Sequence, residues 1–117
     1  MALTLEQIKA EALAELTPEE RKRSAVYLDE AIVNDGSRIE IDRKPVQVRF
    51  DALVVFVDRE PQSNWGHSCR YLLIDRETGA KQSMEASYPP FLRGASQTLR
   101  LIWKGEDVPD WTLAVQQ

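Results

Sequence analysis

The sequence predicts an α+β fold: an N-terminal helical hairpin followed by an antiparallel β-sheet of about five strands. Three observations lead there. Apolar residues recur at helical spacing up to Gly36 and alternate with polar ones after it. Both helix-start signals precede Arg21, whereas turn signals punctuate the rest of the chain. The strand-like segments follow one another through short turns, which suits antiparallel pairing. A half-open barrel or a sheet covered by helices fits this order. A β-sandwich with the helices as a projecting arm is the alternative.

The first helix is expected over 5–16. Thr4 is its N-cap and Gln7 the reciprocal capping partner, while Leu5, Ile8, Ala12 and Leu16 share one face. The second begins with Thr17 as cap, Pro18 in the first turn and Glu20 closing the capping box. Its apolar face is read as Ala25, Leu28 and Ile32, with a stop at Asn34, Asp35 and Gly36. The chain is thus expected to be one domain over 1–117, divided into a helical hairpin over 1–36 and a β-rich part over 37–117.

A short strand is expected at 38–42, with a turn at Arg43, Lys44 and Pro45. Val46, Val48 and Phe50 then alternate with polar residues, and 52–57 is apolar on both faces. One central strand over 46–57, its second half covered by the helices, accounts for that change. A polar loop over 59–68 leads to a strand at 69–75, a hairpin turn at 76–79 and a return strand at 80–86. A second long loop spans 87–97. Leu99, Leu101 and Trp103 give the last clear strand a core face, and a turn and a short element close the chain.

Composition narrows the function classes. Of 117 residues, 43% are apolar and 29% charged, as in a chain that buries a core. The net charge of −4 argues against nucleic acid as a partner. The basic run Arg21, Lys22, Arg23 is flanked by Glu19, Glu20, Asp29 and Glu30 and reads as a solvated helix face. Cys69 is the sole cysteine, which rules out an intrachain disulfide and favours a cytoplasmic location. The N-terminus lacks the features of a signal peptide, and the apolar run at 52–57 is far too short to span a membrane. No membrane partner is expected.

Two constellations carry chemistry. His67 and Cys69, two residues apart on a strand, point to one face at about 6–7 Å between Cα atoms. Asp58 or Glu60, at the far edge of the same loop, is placed to orient the imidazole. This supports a small enzyme or ligand-binding domain with His67, Cys69 and Asp58 as catalytic candidates. The plainer expectation is that Cys69 alternates with Tyr71 and Leu73 as a small buried hydrophobe. A zinc site lacks its second ligand pair, and no phosphate loop, dinucleotide fingerprint or nucleophile elbow is present. Neither a metal nor a cofactor is expected.

The second constellation is aromatic. The loops before Cys69 and after Ala86 leave the same end of one hairpin, opposite the 76–79 turn. Trp65, His67, Tyr88 and Phe91 are therefore expected to gather there, with Arg70 and Arg93 nearby. They either cap the core or form a recognition surface. Ala2, Leu3, Ala10, Leu13 and Ala14 widen the apolar arc of the first helix, so a homodimer through residues 1–34 is also expected to be possible. The favoured function is a non-enzymatic interaction or accessory module that recognises a protein or peptide partner.

Overall fold

A computed structural model of the chain describes residues 2–62, 67–88 and 98–113. Two helices precede a five-stranded antiparallel sheet, as the α+β order requires. Helix α1 (Leu5–Ala14) and helix α2 (Pro18–Arg23) each start with a complete capping box, Thr4 with Gln7 and Thr17 with Glu20. Each box satisfies two backbone donors that a helix start leaves unpaired.

The second helix is shorter than its sequence spacing suggests, and the helical part does not extend to residue 36. At Ser24 the backbone turns extended, with φ −104° and ψ 151°. Ala25–Val33 is strand β1, in the interior of the sheet. Ala25 and Leu28 do share a helical spacing, but the intervening Val26 and Tyr27 are β-formers, and all four are buried. Tertiary pairing on both edges outweighs a three-residue helical pattern. Val26 and Leu28 join the core beneath α1, while Ala25 and Tyr27 face the opposite core.

The remaining strands are β2 (Arg38–Ile41), β3 (Lys44–Gln47), β4 (Ala52–Asp58), β5 (Cys69–Asp75), β6 (Lys81–Ala86) and β7 (Leu99–Lys104). The large sheet runs β6-β5-β4-β1-β7 and is open, not a closed barrel; β2 and β3 form a separate hairpin. The single strand expected over 46–57 is therefore two. Its first half pairs with β2 and its second lies between β1 and β5. Asp51 marks the corner: its carboxylate accepts the Asp35 N–H at 2.9 Å and its carbonyl the Arg76 N–H at 3.0 Å. The expected turn at Arg43, Lys44 and Pro45 closes one residue earlier, at Asp42 and Arg43, which have φ of 57° and 64°. Two consecutive positive φ values suit the twist of a tight hairpin.

The sheet separates two cores. On one face α1 lays Ile8 and Ala12, with Leu16, over Leu53, Val55, Val57, Leu72 and Ile74. The expected covering of residues 52–57 by helix is thus present. On the other face, Ile39, Ile41 and Val46 of the small hairpin pack on a row that crosses every strand of the sheet. Leu101, Tyr27, Phe56, Tyr71 and Met84 lie side by side in register. The Tyr27 and Phe56 rings stack at 6.2 Å, and Phe56 and Tyr71 meet at 5.2 Å. Cross-strand aromatic contacts of this kind add to simple burial. No helix among the described residues is long and apolar enough to cross a membrane.

Candidate functional site

One row beyond the aromatic ladder, at the end of the sheet, the core turns polar. Alternation along β4 puts Asp58 on the same face as Phe56, and the register sets it between Ala25 and Cys69. The His67 Nε2 lies 2.8 Å from Asp58 Oδ1, with both side chains almost completely buried. The same oxygen accepts the Glu60 N–H at 3.1 Å. Burial pushes the Asp58 carboxyl above its ordinary range, and the neighbouring His67 offsets this only in part. Of the two carboxylates placed to orient the imidazole, Asp58 and Glu60, it is Asp58 that lies beside His67.

Cys69 is fully buried. Burial, reinforced by the charges of Asp58 and Asp42, pushes its thiol up to about 12. A nucleophilic cysteine needs an accessible thiolate, and this environment disfavours both. The Tyr71 phenol is also pushed upward, by burial first and then by Cys69, Asp42 and Asp58. Its hydroxyl donates to the Tyr88 carbonyl at 2.9 Å. These groups form a buried polar plug beneath the end of the sheet. Among the described residues, no group of three or more His, Cys, Asp or Glu is placed to hold a metal ion.

The plug is covered by the segment that follows β6. The His67 N–H donates to the Ser87 carbonyl at 2.7 Å, which joins the two loop edges as expected. The Ser87 N–H donates to Asp42 Oδ2 at 3.3 Å, while Asp42 Oδ1 is buried without a hydrogen-bond partner among the described residues. Tyr88 stays 39% exposed, and the Arg43 guanidinium stacks on its ring at 5.5 Å. The tip of the small hairpin thus reaches across the sheet to hold the segment in place. Trp65, Phe91 and Arg93 lie outside the described residues. Trp111, in a single 3-10 turn over Asp110–Thr112, is the most exposed large apolar side chain described, at 74%.

Arg70 does not join this surface. Strand alternation sends it to the α1 face, where it donates to Ser83, Glu20, the Glu15 carbonyl and the Glu15 carboxylate at 2.8–3.2 Å. Arg59 lies beside it, paired with Glu20 at 2.8 Å and with both oxygens of Glu85. Burial pushes Glu20 upward. The Thr17 N–H, the Arg59 hydrogen bond and the charges of both arginines outweigh burial and hold it below its ordinary range. Two shallow clefts, of about 280 and 300 Å³, flank this junction and share Arg23, Arg59 and Glu60. Their charges are mixed, and Arg59 is already engaged by carboxylates. Arg43, Asp42, Arg59 and Glu20 are the members that sequence reasoning missed. Only the cap signal at Glu20 was visible, and it says nothing of distant partners.

No protein-family model, no curated protein and no solved structure matches the chain.

Proposed function

We propose that the chain is a cytoplasmic, non-enzymatic interaction module that recognises a protein or peptide partner at the Tyr88 end of its sheet. The observation that carries this reading is the fixed presentation of a part-exposed aromatic. The Tyr88 backbone is held by Tyr71, and its ring lies against Arg43. An aromatic and an arginine already ordered before binding lose little entropy when a partner arrives. The exposed tyrosine and the arginine also offer apolar area and a cation together, which suits a partner segment with an acidic residue beside an apolar one. The lone cysteine supports the cytoplasmic assignment.

The enzyme reading draws on the His67–Asp58 pair with Cys69 as its nucleophile, and Cys69 is buried with its thiol held protonated. Affinity capture from the native host, comparing the wild-type chain with Tyr88→Ala and Arg43→Ala, tests the proposal. It predicts a partner that wild type retains and both variants lose, with melting temperatures nearly unchanged. An identical partner set for all three proteins would sink it.

A further inference from the structure

The two edges of the sheet are not alike. Strand β7 carries a bulge opposite Val26 and Tyr27, and its end is covered by α2 through the Trp103 indole N–H to Arg21 carbonyl bond at 2.7 Å. Bulges and coverings are devices that keep an edge from pairing. Strand β6 has neither among the described residues: it pairs with β5 in unbroken register from Lys81 to Ala86. The Asp75 N–H donates to the Ala80 carbonyl at 2.8 Å. Antiparallel alternation then turns the backbone groups of Gln82, Met84 and Ala86 towards β5, and those of Lys81, Ser83 and Glu85 outward.

From this edge we infer that β6 pairs antiparallel with the β6 of a second copy of this chain, about a two-fold axis at Ser83. Self-pairing selects its own register. Placing Ser83 opposite Ser83 makes all three outward residues of each strand hydrogen-bonded partners, and it sets Lys81 of each copy opposite Glu85 of the other. Slipping by two residues in either direction loses an outward pair of hydrogen-bonded partners. The charges that would otherwise guard the edge are drawn onto the helical face. Lys81 reaches Glu11 at 2.7 Å, and Glu85 pairs with Arg59, so among the described residues the row of outward backbone donors and acceptors stays open. The result is one continuous sheet with both α1 helices on the same side. This places the self-contact on β6 and not on residues 1–34, where Ala25–Leu28 is buried within the sheet. It is independent of the Tyr88 surface: a monomer that still captures a partner through Tyr88 would overturn this inference alone.

Sedimentation velocity of the full chain across micromolar concentrations tests it. Wild type and Ser83→Ala, which keeps the backbone N–H, are expected to double in mass with concentration. Ser83→Pro removes an outward N–H at a position an edge strand tolerates, and it is expected to stay monomeric with an unchanged circular dichroism spectrum. Ser83→Cys covers the case in which the proline variant does not fold. Hydrogen-bonded antiparallel partners lie about 5.5 Å apart at Cα, within disulfide range, so mild oxidation is expected to yield a cross-linked dimer. A wild-type monomer throughout, a folded Ser83→Pro dimer, or a dimer that Ser83→Cys fails to cross-link would each overturn the inference.

Discussion

Replacing Glu20 with alanine is expected to loosen the joint between the helices and the sheet. The Glu20 side chain is 7% exposed and accepts from the Thr17 N–H, Arg59 Nε and the Arg70 guanidinium at 2.8–3.0 Å. Breaking a buried ion pair from one side costs about 3–5 kcal/mol. Two features pull the figure down: Arg70 keeps Glu15, and Arg59 keeps Glu85 and is itself 26% exposed. The lost capping bond adds back about 0.5–1 kcal/mol. The expected cost is therefore about 3 kcal/mol, or a melting temperature lower by about 12 °C in a chain of this size. Urea denaturation at neutral pH reads it directly. Glu15→Ala, whose side chain is 37% exposed, is the control and is expected to cost less than about 1 kcal/mol. Acid supplies a second check. Glu20 ionises more readily when folded, so its contribution is complete above its ordinary value of 4.5 and is lost as pH falls through the lower folded value. The gap between wild type and Glu20→Ala should close in acid. A loss equal to that of Glu15→Ala, or a gap that does not change with pH, would refute the reasoning.

Further outcomes follow from the same geometry. Cys69 should resist a thiol reagent in the native protein at pH 8 and react at once when denatured; rapid native labelling would contradict its burial. Because its thiol is raised to about 12, the stability it contributes is complete below the ordinary value of 9.0 and is lost as pH rises towards 12. Gly105→Ala would put a Cβ 2.2 Å from the Lys22 carbonyl oxygen, so a destabilisation above about 2 kcal/mol is expected in thermal melts. Phe56→Ala, which empties the middle of the aromatic row, should cost about 4 kcal/mol in denaturant titration.

The readable parts of the fold were those whose signals are local. Both capping boxes, the 76–79 turn with Gly79 at φ 80°, and the alternation of Leu99 and Leu101 depend on neighbours in sequence, whereas Trp103, expected on the same face, packs on the helix side because the strand bulges between it and Leu101. The failure at Ala25–Val33 has the opposite cause. The first half of that strand, Ala25–Leu28, is buried on both faces and so has no period of its own, and its identity depends on β4 and β7, which lie far along the chain. The same distinction governs the site. His67 and Asp58 edge one loop, and their meeting was foreseeable. Arg70 went to the other face because strand parity, not distance along the chain, decides which core a side chain joins. Arg43 read as an ordinary turn residue, and nothing local shows that the hairpin tip would fold over Tyr88.

The most direct test of the account is the double substitution Trp65→Ala and Tyr88→Ala, assayed by quantitative partner capture beside a thermal melt. The account predicts a chain that melts within a few degrees of wild type and no longer retains its partner. A chain that loses its cooperative melt would show that these aromatics cap the core, and a folded chain that keeps every partner would place recognition elsewhere.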